Sequence, residues 1–275
     1  MSIREARVAG TFYPEKKEHL QQTLQNFRDC KKQDDIKDIS CIIAPHAGYI
    51  YSGKIAASAY QYIHNKKFDK VLVISPSHHD YFTGCTTITD NYVTPLGEIK
   101  TDSEFIEKLT GLSRIVSVSN MGHGPEHALE VHLPFLQETL DEFKLIPLVM
   151  GRQNMETARI LAEDLFEVIK SSNGQNKLLI VCSSDLSHFY EVEHARELDG
   201  VIKEDIKAFD PEKFNSDIIN KKGEACGHGP ILTGMILSRM LGANQSKVID
   251  YGTSGDVNMD FNSVVGYLSA IIYKN

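Results

Sequence analysis

Twice in the first third of the chain a short, apolar, β-branched run meets a proline and then, within two residues, a histidine. The first is Ile42-Ile43-Ala44-Pro45-His46-Ala47-Gly48-Tyr49 and the second is Val71-Leu72-Val73-Ile74-Ser75-Pro76-Ser77-His78-His79. A continuous apolar run of this kind, bounded by turn residues, reads as a strand buried on both faces. That is the strand of an α/β sheet covered by helices, not of a half-solvated hairpin. Open α/β sheets bind ligands in the crevice beyond the carboxyl ends of their strands. The repeated pattern therefore predicts that His46 and His78 lie on the floor of one site.

The rest of the chain supplies the helices such a sheet needs. Residues 15–27 carry Leu20, Leu24 and Phe27 at helical spacing, and 53–64 hold small and apolar residues suited to a helix lying close on a sheet. With strands over 41–44 and 68–74 this makes a strand-helix-strand unit, for which a right-handed crossover is expected. Residues 85–93, rich in Thr, Ile and Val and closed by Thr94-Pro95-Leu96-Gly97, read as a small β excursion. Asp102 reads as the cap of a helix running through Leu109. A glycine-rich loop at Gly122-His123-Gly124-Pro125 feeds a helix with Leu129, Leu133 and Leu136 in register. Strands follow at 143–150, 178–182, 248–251 and 264–272, with helices at 155–169, 193–209, 211–221 and from Pro230 to Leu241. The alternation predicts α/β: one domain over residues 1–275, a mixed central β-sheet flanked by helices.

Charge narrows the partners. The net charge is −8 and the signs are interspersed, so no basic surface for nucleic acid is expected. The charges at Lys31-Lys32 and Asp34-Asp35 read as one solvated loop. No run approaches the ~20 apolar residues of a membrane helix and the N-terminus lacks an apolar signal core. A soluble, cytoplasmic protein without membrane contact is expected. The five cysteines, Cys30, Cys41, Cys85, Cys182 and Cys226, form no CxxC pair and read as reduced thiols. For the first four, packing as a small apolar side chain is the favoured reading.

Cys226 differs, because it lies in Glu224-Ala225-Cys226-Gly227-His228-Gly229-Pro230, just before a helix start that would shift a thiol toward thiolate. If the loops after the first two strands meet it, His46, His78 and Cys226 make a three-donor set with an open position, suited to zinc, copper or ferrous iron. The bland alternative for each histidine is a structural hydrogen bond. A third buried run, 178–182, ends at Ser183-Ser184-Asp185-Leu186-Ser187-His188. Asp185 and His188 are three apart, so one could orient the other while His188 serves as general acid or base. His127, Glu130 and His132 fall near a helix start, but five residues separate the histidines, which excludes the HExxH zinc helix. Neither GxGxxG nor a Walker loop occurs, so nucleotide binding is rejected. Cys226, His188 and Asp185 can also be read as a thiol-nucleophile triad, since chain order does not define such triads.

Taken together, Ala44-Pro45-His46-Ala47-Gly48-Tyr49, Pro76-Ser77-His78-His79, Glu126-His127 with Glu130-Val131-His132-Leu133-Pro134, Ser183-Ser184-Asp185 with His188, and Cys226-Gly227-His228-Gly229-Pro230 resemble the Memo family. The resemblance runs from Ala9-Gly10-Thr11-Phe12-Tyr13 to the strand at 264–272. It implies a fold like that of the class III extradiol ring-cleaving dioxygenases, which hold ferrous iron with two histidines and a glutamate. By position it implies His46 and His78 as imidazole ligands, Cys226 where those enzymes have the carboxylate, and His188 as their acid/base. A thiolate there changes charge donation to the metal, so ring cleavage does not carry over. The resemblance further suggests iron and copper binding and metal-dependent redox activity; the combined expectation is a metal-dependent oxidoreductase with a divalent metal, iron first and copper or zinc next, and with His79, His127 and His132 lining the cleft. It also allows a non-enzymatic module that binds a peptide or an unknown small molecule, and a pathway shared with a radical-SAM protein.

Overall fold

The computed structural model describes residues 2–28, 34, 36–171 and 177–275. Cys30, Lys31, Lys32 and Asp35, read above as a free thiol and a solvated loop, lie outside the described residues.

In chain order the elements are β1 (Ile3–Arg4), α1 (Lys17–Asn26), β2 (Asp38–Ala44), α2 (Tyr49–Tyr60), β3 (Lys70–Pro76), β4 (Cys85–Thr87), β5 (Asn91–Thr94), β6 (Gly97–Ile99) and α3 (Ser103–Leu112). Then come β7 (Val116–Val118), α4 (Leu133–Thr139), β8 (Lys144–Met150), α5 (Met155–Ser171), β9 (Leu178–Ser183), β10 (His188–Tyr190), α6 (Val192–Ala208), α7 (Pro211–Ile219), α8 (His228–Met240), β11 (Gln245–Thr253), α9 (Gly255–Asn258) and β12 (Val264–Lys274). Nine strands form one sheet in the order β10-β12-β2-β9-β3-β8-β4-β7, with β11 on the other edge of β12. The four central strands β2, β9, β3 and β8 are parallel, whereas β12 runs antiparallel to β2 and β4 antiparallel to β8. The sheet is therefore mixed and flanked by helices, as the alternation of runs predicts.

Side-chain alternation along the central strands explains why both faces are covered. Cys41, Ile43, Leu72, Ile74, Ile180 and Cys182 face a core shared with α3, α5 and α8. Their neighbours Ile42, Ala44, Val71, Val73, Leu179 and Val181 face a second core built with α1, α2 and α4. A period of two with apolar residues on both sides is what a doubly covered strand requires. Helix α8 approaches closest at Gly234, where a Cβ would come within 2.2 Å of Cys182 Sγ and 3.2 Å of Cys41 Sγ. Gly234→Ala adds helix propensity worth ~1 kcal/mol but overpacks a fully buried contact at ~1–3 kcal/mol. The expected net result is a destabilisation of up to about 2 kcal/mol in urea unfolding.

Three local readings change. Helix α2 begins at Tyr49, four residues ahead of the expected start, because Gly48 caps it directly after the His46 loop. Strands β2 and β3 are not neighbours: β9 lies between them and hydrogen-bonds both. The β excursion divides, with β4 extending the main sheet while β5 and β6 pair with each other and with β1 in a separate small sheet. Asp102 caps α3 as expected, accepting the Phe105 N–H at 3.1 Å. Among the described residues no helix is long and apolar enough to cross a membrane.

Candidate metal centre

Strand β9 is the hub of the site. At its carboxyl end Ser184 N–H donates to the Ala44 carbonyl (3.0 Å), and His46 N–H donates to Asp185 Oδ1 (2.8 Å), so the end of β2 is tied to the end of β9. The loop before α8 is tied to the same point. Cys226 N–H donates to the Asp185 carbonyl (3.1 Å) and Gly227 N–H to Ser184 Oγ (2.9 Å). Only glycine fits at 227, because a Cβ there would meet the Ser183 carbonyl oxygen at 2.0 Å. Gln153 holds the far side, donating to the Cys226 carbonyl and accepting from Gly229 N–H, both at 2.7 Å.

These ties bring three side chains from distant loops together. The ligating atoms of His46, His78 and Cys226 all lie within 4.8 Å of one another. His46 Nε2 is 3.2 Å from Cys226 Sγ, and the His46 and His78 rings stand edge to face at 5.0 Å between centroids. Bonds of ~2.0–2.1 Å to nitrogen and ~2.3 Å to sulfur at roughly tetrahedral angles call for donor separations of ~3–3.6 Å. The His46–Cys226 pair meets that requirement as it stands, and the donor set of two imidazoles and one sulfur is a common one for zinc, copper and iron.

The electrostatics follow from burial. His46 is buried and its pKa falls well below the usual imidazole range, first through desolvation and then through the neighbouring histidines, so it is neutral with a lone pair to offer. His78 is more exposed. Burial is the largest influence and opposes its charge, but the hydrogen bond from its Nδ1 to Glu126 Oε1 (2.9 Å), together with the charges of Glu126 and Asp185, outweighs it and raises its pKa. Glu126 is itself buried, which alone would raise its pKa. The His78 ring and the backbone N–H groups of His78 and Ala128 hold it at about 2. With His78 N–H on Oε2 (2.5 Å) and the backbone N–H groups of His127 and Ala128 on Oε1 (3.0 Å each), this carboxylate is saturated. It orients His78 from behind, as the outer carboxylate of a metal-binding histidine does.

Several residues stand elsewhere than expected. Cys226 does not show the thiolate shift that a helix N-terminus would give: burial, then the nearby Asp185 carboxyl, push its thiol well above the ordinary range. Desolvation of the sulfur outweighs the hydrogen bonds from the Asp185 N–H and the Ser184 hydroxyl that favour the thiolate. Asp185 turns to His46, its Oδ2 lying 3.9 Å from His46 Nε2, and does not orient His188; burial raises its pKa to about 7. His188 opens β10 rather than merely following β9, and shares with Cys226 a cavity of about 250 Å³ that also meets Leu186 and Glu224. Its pKa is lowered, chiefly by burial. His127 stacks on His78 (4.8 Å) and under Phe12 (4.5 Å), and His79 stands exposed 6.5 Å from it, so both border the site. His132 does not line the cleft. It is fully buried, with Nε2 2.8 Å from Ser183 Oγ and Nδ1 3.0 Å from Tyr60 Oη. Both His127 and His132 precede the α-helix, which begins only at Leu133 after a 3-10 turn at Glu130–His132.

Sequence reasoning gave no role to Glu126, Ser183, Tyr60 or Gln153. Glu126 and Ser183 stand inside the motifs quoted above, which is a usable signal. Tyr60 and Gln153 are an apolar-face tyrosine and a loop glutamine, and nothing in their local sequence marks them.

Comparison with known proteins agrees with this architecture. The chain covers 85% of its length and 99% of an uncharacterized protein from Escherichia coli K12 of known crystal structure, at a TM-score of 0.57 and 12% identity, a likeness of fold alone. It is 38% identical to a MEMO1 family protein of Methanobrevibacter smithii, over 98% of this chain and 99% of that one. It is 34% identical to another from Archaeoglobus fulgidus, over 99% and 100%. With residues 4–271 matching the family of Memo-like proteins as well, the chain belongs to the Memo-like family.

Proposed function

We propose that the chain is a metal-dependent oxidoreductase whose His46, His78 and Cys226 hold one divalent ion, redox-active iron in the first place and copper next, with zinc, which the same donors suit but which exchanges no electrons, as a third occupant. The observation that carries this reading is the meeting of two imidazoles and a thiol from three separate loops within 4.8 Å. When bound, the ion would supply Lewis acidity and one-electron exchange at an open coordination position. The chain's own residues do the rest. His46 offers Nε2, His78 is steadied by the Glu126 carboxylate, and Asp185 keeps the ends of β2 and β9 in register by accepting the His46 backbone N–H. His188, at the wall of the cavity it shares with Cys226, is neutral near pH 7 and can take or return a proton. His79 and His127 border the space a substrate would enter.

A binding module that uses the same cleft for a peptide or small molecule is the second reading. It is favoured by the exposed aromatic side chains of Tyr81 and Phe189, which follow His79 and His188 in sequence. Metal analysis of anaerobically purified protein separates the two. Wild type is expected to carry about one equivalent of metal and a His46→Ala, Cys226→Ala double variant almost none. Equal sub-stoichiometric content in both would remove the oxidoreductase reading.

The thiol-hydrolase reading gains no support from geometry, since the imidazole beside Cys226 is His46 rather than His188. With its thiol pushed above the ordinary range, Cys226 in the metal-free protein should alkylate with iodoacetamide more slowly than free cysteine at pH 8. Its rate should still be climbing above pH ~9, past the usual thiol pKa. Rapid labelling at neutral pH would revive the hydrolase.

A further inference from the structure

Ser183 stands where two buried imidazoles meet. Its Oγ is 2.6 Å from the Ala128 carbonyl oxygen, 2.7 Å from His46 Nδ1 and 2.8 Å from His132 Nε2. All of these groups are buried, so each polar atom must find its partner within this set. A serine hydroxyl has one proton and two lone pairs. An oxygen-to-oxygen contact of 2.6 Å is attractive only with a proton between the atoms, and a carbonyl brings none. The single proton of Ser183 is therefore committed to Ala128.

Both lone pairs of Ser183 Oγ are then acceptors, and each imidazole must donate to one of them. His46 carries its proton on Nδ1, which leaves Nε2 bare and facing Cys226 Sγ at 3.2 Å. His132 carries its proton on Nε2, so its Nδ1 accepts from the Tyr60 hydroxyl at 3.0 Å. The chain of donors closes without conflict: Tyr60 to His132, His132 to Ser183, His46 to Ser183, Ser183 to Ala128.

We propose that Ser183, with its proton fixed by the Ala128 carbonyl and its second acceptor position filled by His132, is a positioning residue that locks His46 in the Nδ1–H tautomer and so presents Nε2 toward Cys226. The inference rests on the proposed metal reading for its purpose, though not for its geometry. Residues 126–132 thereby orient both candidate histidine ligands, through Glu126 on His78 and through Ala128 and His132 on Ser183. A histidine ligand held from behind by an outer hydrogen bond is the usual arrangement at metal sites, where loss of the outer partner costs ~10–100-fold in affinity.

The test begins with unmodified, metal-free protein labelled with ¹⁵N-histidine, because two-bond proton–nitrogen correlations read each tautomer directly. His46 is expected as Nδ1–H with an unprotonated Nε2, and His132 as Nε2–H. A His46 resonance pattern with the proton on Nε2 would overturn the proposal without any variant having to fold. The second arm is cobalt(II) titration of wild type and Ser183→Ala, following the sulfur-to-cobalt charge-transfer band. The variant should bind cobalt ~10–100-fold more weakly and show a mixed His46 tautomer. Affinity unchanged within a factor of three would count against the lock. Should wild type bind no cobalt while His46 and His132 show the stated tautomers, the metal reading falls and the tautomer lock is supported.

Discussion

Glu130→Ala is expected to lower the stability of the protein by about 3–5 kcal/mol, the cost of stripping one partner from a buried ion pair. Glu130 is fully buried and its carboxylate takes donors from four groups: Arg4 Nη1 at 2.6 Å, the backbone N–H of Arg7 and of Val8, and the Tyr13 hydroxyl at 2.7 Å. Arg4 is itself buried and donates three more of its protons to the carbonyls of His123, Gly124 and Glu126. Removing the carboxylate leaves a buried guanidinium without its counter-charge and three further donors without an acceptor. Urea unfolding followed by circular dichroism reads the loss, and a shift below ~1 kcal/mol would show that the pair is no more than a surface-type contact.

The same substitution reports on the site. The N-terminal segment held by Glu130 carries Phe12, which covers the His127 ring and whose carbonyl accepts the Tyr49 N–H at the start of α2. Glu130→Gln, which keeps shape and one acceptor oxygen, should cost less than the alanine change. Both variants should keep the His46 and Cys226 geometry at temperatures where they are folded, because that pair is tied to the end of β9, whereas His78, oriented by Glu126 whose carbonyl Arg4 holds, is the ligand that the change can reach.

Cys226→Ala is expected to weaken metal binding by more than ~100-fold, beyond what loss of an outer-shell partner costs. Sulfur is the donor nearest His46, and no other thiol among the described residues reaches the site: Cys41, Cys85 and Cys182 are all buried in the sheet core. Cys226→Asp restores a donor of harder character. It should recover part of the affinity for iron and manganese while losing preference for copper and zinc. Competition against a chromophoric chelator, run on both variants and wild type, gives the ratios. An alanine variant that holds metal as tightly as wild type would mean that the sulfur is not a ligand.

How much of this was legible beforehand can be argued residue by residue. Burial on both faces of β2, β3 and β9 is written in unbroken apolar runs, because a strand covered on two sides has no polar positions to spare. The loop histidines past those strands stood out for the same reason: a polar residue directly after such a run marks the carboxyl end of the strand, where the crevice of an open α/β sheet lies. Short edge elements such as β7 and β10 were not legible, since three residues carry too little periodicity and their pairing depends on distant partners. His132 reads as a cleft residue because it falls in the same short histidine-rich segment as His127, although five residues separate the two. Only the packing of Tyr60 and Ser183 around it reveals a buried hydrogen-bonding role.

The order of residues by itself determined the α/β class, the helices and central strands to within a few positions, and which loops carry His46, His78 and Cys226. Tertiary structure alone decided that β9 separates the two histidine strands, that Asp185 serves His46, and that burial drives the Cys226 thiol up. His46 and Cys226 are 180 positions apart and His46 and Ser183 are 137 apart. Periodicity and turn chemistry act over a few residues, whereas hydrogen-bond direction and desolvation depend on whichever atoms the fold brings alongside.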